Sequence, residues 1–383
     1  MKADYISRAI FSKFKRKIQA QKVLILLGPR RVGKTELIKQ YLSELDPNDY
    51  QLFNGEDQKT WELFAERSVS NYERLLGEVK LLIIDEAQKI PDIGLKLKLM
   101  VDSIEGLKVI ATGSSVFDLT NKLGEPLLGR SNTMMLFPLA QMEFQKQETY
   151  TQTTENLEER LIFGSYPELQ QIKNWNEKSE YLDNIVGFNL IRDILEHEGV
   201  RKSDKIMDLL RLIAFQVGKE VNVDELARSL KGISRNTVES YLDLLEKVFI
   251  IYKVRGFSRN LRKEVTKSNR WYFYDNGIRN AIIRNFNKLD FRNDVGELWE
   301  NYLMAERMKY NAYNGNLTNS YFWRTYDQQE IDLIEEHSGE LSAFEFKWNP
   351  KKKVKAPGAW MRAYPEASFN VINRENYLDF VTK

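Results

Sequence analysis

The run Gly28-Pro29-Arg30-Arg31-Val32-Gly33-Lys34-Thr35 has residue types and spacing suited to holding phosphate. Glycines near its two ends let backbone N–H groups curl around phosphate oxygens, and a helix opening at the end of the loop adds partial positive charge. Lys34 would reach the β- and γ-phosphates, and the hydroxyl of Thr35 would ligate Mg²⁺. The expected nucleotide-contacting set is this whole run together with Glu36. Such a loop needs a carboxylate at the end of a second buried strand, and Leu81-Leu82-Ile83-Ile84-Asp85-Glu86 supplies one. Asp85 would hold the water shell of Mg²⁺, and Glu86 would act as general base on the attacking water. An acidic residue beside the metal-side Asp points to hydrolysis of ATP rather than simple sensing.

Two further positions are candidates for the same chemistry. The run Ala111-Thr112-Gly113-Ser114-Ser115 closes another apolar stretch, so a small polar side chain there would face the ligand crevice. Ser114 is the first candidate and Ser115 the second, with a turn-stabilising hydroxyl the equal alternative. Arg130 is a candidate arginine finger, an ordinary surface ion pair being its alternative.

These residues require a particular set of supporting elements. Val23–Leu27, Leu52–Asn54, Leu81–Ile84 and Leu107–Ala111 read as strands, separated by helical patterns such as Thr35–Glu44. Apolar strands alternating with helices predict a parallel sheet covered on both faces. Lys2–Gln19 reads as an amphipathic helix. From about residue 140 the pattern becomes helical, and beyond Trp271 strands return at Tyr321–Thr325, Glu330–Glu335 and Ala343–Trp348.

Composition narrows the chemistry. The 383 residues contain no cysteine and two histidines, His197 and His337, which excludes disulfides, thiolate nucleophiles and Cys- or His-rich metal sites. Lys and Arg number 57 against 55 Asp and Glu, a net charge of +2, so nucleic-acid binding would have to come from local patches. No signal peptide is visible, and no apolar run approaches the ~20 residues of a membrane helix. A cytoplasmic protein without a membrane partner is expected.

The C-terminal strands carry a second constellation. Asp332 follows Glu330-Ile331, and Glu345-x-Lys347 lies on the next strand, with Glu345 and Lys347 on one face. This spacing is that of the PD-(D/E)XK nuclease core, in which two carboxylates hold Mg²⁺ and a lysine helps to activate water. Glu297 or Glu300 on the preceding helix would complete it, while an ion-paired surface strand or a nuclease fold without activity accounts for the same residues. Lys351, Lys352, Lys353 and Lys355 follow, suited to phosphates or to a solvated loop.

Between the two constellations, Leu210–Gly218, Val223–Lys231 and Ser234–Lys247 read as three helical units leading to an apolar run at Val248–Ile251, the pattern of a winged helix-turn-helix. Its third helix exposes Arg235, Asn236 and Thr237, but Glu239 and Asp243 would repel DNA phosphates, and a helical domain packed on the ATPase is the alternative. Lys253, Arg255, Arg259, Arg262, Lys263, Lys267 and Arg270, interleaved with Tyr252, Phe257 and Trp271, form a basic stretch suited to a nucleic-acid backbone or to a solvated linker.

Taken together, Leu24–Thr35, Leu82–Gln88, Thr112–Ser115 and Phe137-Pro138-Leu139 resemble prokaryotic AAA+-type ATPases with the GPRRVGKT signature, related to the archaeal and STAND-like branch. Phe163–Glu168, Tyr272–Gly277, Gly296–Asn301 and Trp323-Arg324 resemble the C-terminal domain of unknown function that usually accompanies that ATPase. The resemblance covers nearly the whole chain and implies ATP and Mg²⁺ as cofactors, with Lys34, Asp85 and Glu86 in the family's phosphate, metal-side and base positions. It also implies a winged helix.

The expected architecture is α/β, with a P-loop parallel sheet, a helical lid, a winged helix and an α+β restriction-endonuclease-like domain. The expected boundaries are 1–140, 141–204, 205–258 and 259–383. Two outputs are carried forward: an ATPase coupled to DNA association through the C-terminal domains, and an ATP-controlled switch whose C-terminal domains bind a protein partner. An oligomer is compatible with either.

Overall fold

The computed structural model describes residues 6–114, 127–190, 194, 203–258 and 269–383. The chain divides into two compact units, one comprising Ser7–Phe137 with Lys247–Phe249, the other comprising Met1–Ile6, Pro138–Glu246 and Ile250–Lys383. The fold is mixed α/β, with a parallel sheet in the first unit and a second, mixed sheet in the other.

The first unit is built on five strands: β1 (Lys22–Leu27), β2 (Tyr50–Asn54), β3 (Leu81–Asp85), β4 (Lys108–Gly113) and β5 (Ser131–Met135). Their order is β2-β3-β4-β1-β5 and every pairing is parallel. Val23, Leu24, Leu26, Leu82, Ile83 and Ile84 are fully or almost fully buried, as a sheet covered on both faces demands. The strand order leaves β1 in the interior, so its C-terminal end opens at the crevice between β4 and β5. The fifth strand was not expected from sequence, because Ser131-Asn132-Thr133 is polar and lies on the sheet edge. The N-terminal helix is shorter than the Lys2–Gln19 expectation and spans Phe11–Lys17.

The second unit is organised by a seven-stranded sheet of order β12-β11-β10-β9-β7-β8-β6. Its strands are β6 (Glu220–Val221), β7 (Ile251–Gly256), β8 (Asn269–Phe273), β9 (Asn319–Arg324), β10 (Glu330–His337), β11 (Glu340–Phe346) and β12 (Ser368–Ile372). Because β7 pairs with β9, one sheet runs across residue 258, where a domain boundary was expected. Helices occupy Ser203–Phe215, Val223–Leu230 and Arg235–Lys247, ahead of β7. Phe257, Trp323, Ile331, Ile334, Ala343 and Trp360 form one core cluster on this sheet.

The segment 141–204, expected as a lid, clusters with this second unit, and buried amides account for it. Asn276 and Asn280 donate to the Leu161 carbonyl at 3.2 Å each, and Asn280 to that of Ile162 at 2.7 Å. These groups close the C-terminal end of the helix Tyr150–Phe163, whose last carbonyls have no partner within the helix. Asn301 joins the network through Asn276 Oδ1 and both backbone groups of Phe273. Buried Asp275 accepts from the backbone N–H groups of Ser165, Gly277 and Ile278. A Cβ at Gly277 would lie 1.9 Å from the Phe163 carbonyl oxygen, so only glycine allows this approach. The segments around Gly164, Asp275 and Asn301 thus meet in one internal junction.

Candidate functional site

The phosphate loop lies between β1 and the helix Lys34–Leu42, with Gly33 at its N-cap. Gly28 is fixed by its surroundings: a Cβ there would lie 2.0 Å from the Leu136 carbonyl oxygen, on the chain leaving β5. A second support comes from Arg8, whose buried guanidinium donates to the carbonyls of Val32 (2.6 Å) and Phe137 (2.7 Å). Lys34 is only 6% exposed, and its Nζ donates to the carbonyls of Gly28 (2.8 Å) and Pro29 (2.9 Å). Its ammonium therefore sits inside the loop it is expected to serve. Glu36, on the first turn of the helix, pairs with Lys39 at 2.8 Å on the exposed face.

The carboxylate pair stands at the end of β3. Thr35 Oγ1 donates to Asp85 Oδ2 at 2.8 Å, so the hydroxyl and carboxylate expected to share Mg²⁺ are already neighbours. Both are hard oxygen donors. Mg²⁺ usually takes only one or two protein ligands beside water and phosphate oxygens, so this pair fits it. Glu86 adopts a left-handed conformation (φ 49°), and the chain at Gly55 presses on it, since a Cβ there would lie 2.3 Å from the Glu86 carbonyl oxygen. Gln88 Nε2 donates to Glu86 Oε2 at 2.6 Å, and Ser114 Oγ lies 3.5 Å from the same oxygen.

Thr112, on β4, is the residue that sequence reasoning passed over. Its Oγ1 donates to Asp85 Oδ1 and accepts from the backbone N–H of Glu86 at 3.0 Å. One hydroxyl thus ties the two acidic residues together. A polar residue ending an apolar strand beside β3 was the available signal. Beside Thr35 and Asp85 opens a cleft of about 550 Å³, also lined by Lys39, Asn54, Asp57 and Thr60. That volume is in the range of small-molecule sites.

Arg130 is not at this site. It precedes β5, and its carbonyl accepts from Val23 N, at the end of β1 remote from Gly28. Its Nε donates to Asp102 on the surface. Within this chain the guanidinium is engaged in a surface ion pair, the alternative given for it above. Ser115 lies outside the described residues.

The C-terminal constellation comes together at one place. On β10 and β11, Leu333 pairs with Phe344, and continuing that register sets Asp332 across from Glu345. Asp332 Oδ2 accepts from Phe346 N at 2.8 Å, and Lys347 Nζ donates to Glu345 Oε1 at 2.6 Å. The helix Val295–Asn314 contributes Glu300, which accepts from Tyr272 Oη at 2.7 Å. Glu297 instead faces Lys219 at 3.7 Å. Burial pushes Glu300 well above the ordinary carboxylate range, reinforced by Asp332. Burial likewise raises Asp332, reinforced by Glu345.

A residue not expected there occupies the centre. Arg270, 4% exposed, directs Nη2 to Glu330 Oε2 at 2.9 Å and Nη1 toward Glu300 Oε1 (3.7 Å) and Asp332 Oδ1 (3.9 Å). Among the described residues no three carboxylates or imidazoles are arranged to hold a metal ion. The residues here do not fit the Mg²⁺ expected at Asp332, Glu345 and Lys347, because an arginine stands among the carboxylates. Arg270 was also expected in a nucleic-acid-facing stretch, and its burial removes it from that role. Lys253 of the same stretch lies 3.8 Å from Glu246 and over the Trp271 ring. Arg259, Arg262, Lys263 and Lys267 lie outside the described residues. Arg235 on the proposed recognition helix pairs with Asp224 and Glu239, each at 3.0 Å. No helix among the described residues is long and apolar enough to cross a membrane.

Three family models match successive segments of the chain. Residues 20–145 match the family described as AAA domain. Residues 154–289 and 295–378 match two domains of unknown function, DUF8612 and DUF4143. An uncharacterized protein of Mycobacterium tuberculosis is 26% identical over 341 residues, covering 88% of this chain and 72% of the relative. One of Methanocaldococcus jannaschii is 24% identical over 391 residues, covering 97% and 84%. A DNA polymerase III gamma subunit-related protein of Thermotoga maritima aligns over 77% of this chain and 98% of its own at 12% identity, but with a TM-score of 0.28 that carries no argument. The segment that builds the phosphate loop and the Asp85–Glu86 pair thus lies within the match to the AAA domain family.

Proposed function

We propose that the AAA domain binds ATP with Mg²⁺ and hydrolyses it. The observation that carries this reading is the 2.8 Å contact between Thr35 and Asp85, with Glu86 adjacent and Lys34 poised on the loop carbonyls. On binding, Lys34 exchanges the Gly28 and Pro29 carbonyls for phosphate oxygens, while the backbone N–H groups of the loop meet the remaining phosphates. Thr35 and Asp85 would hold Mg²⁺, which would supply positive charge against the phosphates. Glu86 accepts the proton of the attacking water. Thr112 fixes the spacing of Asp85 and Glu86, and Gln88 steadies the Glu86 carboxylate until water competes for it. The test is ATP binding and phosphate release by the wild-type chain and by Lys34→Ala. Binding that survives Lys34→Ala unchanged refutes the site.

We propose further that nucleotide state is coupled to DNA association through the second unit, using Arg255 and the basic residues that follow it. A second reading has its own support. Arg270 is buried against Glu330, and exposed Arg235 pairs with Asp224 and Glu239 on the surface, which leaves fewer cations for a phosphate backbone. That pairing favours an ATP-controlled switch whose second unit binds a protein. Measuring DNA affinity against salt separates them. A salt-dependent affinity supports the first reading, and none at low ionic strength supports the second.

A further inference from the structure

We infer that Arg270 is the resident cation of the C-terminal carboxylate cluster, holding the place that a divalent ion takes in a metal-dependent nuclease. The inference lies outside the ATPase reading and rests on geometry. Four carboxylates from three elements converge: Glu300 from the helix Val295–Asn314, Glu330 and Asp332 from β10, and Glu345 from β11. Arg270 enters from β8 and faces three of them, at 2.9, 3.7 and 3.9 Å.

The guanidinium is enclosed, with its Nε buried and without a hydrogen-bond partner. Its plane rests over the Phe322 ring, 4.6 Å from the centroid. Tyr272, two residues along β8, donates to Glu300 Oε1 and so fixes the carboxylate that Arg270 faces. Behind Glu300 the backbone at Gly218 closes in, since a Cβ there would lie 2.7 Å from Glu300 Oε1. On the other flank Lys347 occupies Glu345 Oε1, and Phe346 N occupies Asp332 Oδ2.

Chemistry decides between the two cations. Mg²⁺ and Mn²⁺ need a compact shell of oxygens, about 2.0–2.1 Å away for Mg²⁺. A guanidinium is flat, always charged and presents five N–H donors, so it spans carboxylates too far apart to share one ion. A divalent ion drawn to Glu300 and Asp332 would meet the Arg270 charge within about 4 Å, where repulsion opposes it in a site with little water to screen it. Glu345 Oε2, buried without a hydrogen-bond partner, is the one atom of the cluster a metal would satisfy, which makes Asp332 and Glu345 the residues to test. The domain keeps the carboxylates and lysine of a nuclease centre with a fixed charge among them, and they clamp β8, β10, β11 and the helix together.

Mn²⁺ binding to the full chain without nucleotide, read from the loss of the free-ion paramagnetic resonance signal, tests this. Wild type and Asp332→Asn should titrate alike, because no ion binds at Asp332. Arg270→Gln should gain one bound Mn²⁺ per chain, and adding Asp332→Asn to it should remove that ion. A wild-type Mn²⁺ site that Asp332→Asn abolishes overturns the inference, and so does a folded Arg270→Gln chain that gains no ion. Should Arg270→Gln not fold, the wild-type and Asp332→Asn pair still decides.

Discussion

Lys34 and Arg270 are both nearly buried cations, 6% and 4% exposed, yet they are held by different acceptors. Lys34 rests on two backbone carbonyls of its own loop, which are neutral. Arg270 rests among three acidic side chains, of which burial raises Glu300 and Asp332 above the ordinary carboxylate range. Exchanging the two loop carbonyls for phosphate oxygens trades one hydrogen-bond set for a stronger one between opposite charges, which is favourable. A cation already paired with carboxylates has no charge to spare. Burial alone does not distinguish a working site from an internal ion pair. The identity of the acceptor does.

The comparison is broken first at Lys34. Lys34→Ala should abolish measurable ATP binding, and calorimetric titration checks it. Arg270→Gln should leave ATP binding intact but destabilise the second unit by about 3–5 kcal/mol, the usual cost of leaving buried charges without their partner. Urea unfolding of the two proteins measures it, and an equal midpoint would mean that the cluster contributes nothing. Thr112→Val should slow turnover about ten- to a hundredfold, as expected when a carboxylate loses a hydroxyl partner, while Thr112→Ser restores it. A smaller effect is the pH dependence of the cluster. Burial raises the folded-state value of Glu300 above its unfolded value, so the folded chain holds the proton more tightly. Its contribution is complete below the unfolded carboxylate value and is lost as pH rises through the raised one. Stability of the second unit should therefore fall as pH climbs from the ordinary carboxylate range through neutrality, and the fall should be shallower in Glu300→Gln. Smallest of all, Arg130→Ala should leave ATP turnover unchanged, since its guanidinium pairs with Asp102 at the far end of the sheet.

How much was legible beforehand follows the same division. The phosphate loop is a contiguous run of eight residues, and Asp85-Glu86 closes an apolar strand, so local pattern was enough to find them. Arg8 supports that loop from 24 residues upstream of Val32 and 129 from Phe137, a relation no local pattern encodes. Thr112 lies 27 residues from Asp85, and only the β3–β4 pairing brings them together. The alternation of β10 and β11 predicted that Asp332, Glu345 and Lys347 would converge. Arg270 was read as one of a basic run because its neighbours in sequence are basic. Its neighbours in space are Glu300, Glu330 and Asp332, from one strand and one helix at least 30 residues away. The motifs around Gly164, Asp275 and Asn301 were visible as motifs, but their shared purpose, a buried amide junction, needed the fold.

We propose Glu86 as the base for ATP hydrolysis in a site assembled by Lys34, Thr35 and Asp85. Steady-state phosphate release by wild type and Glu86→Gln, at matched ATP occupancy and with Mg²⁺, tests it most directly. Glu86→Gln should bind ATP unimpaired with turnover lower by about 10²–10⁴-fold, the span of a lost general base. Equal turnover in the two proteins would contradict it.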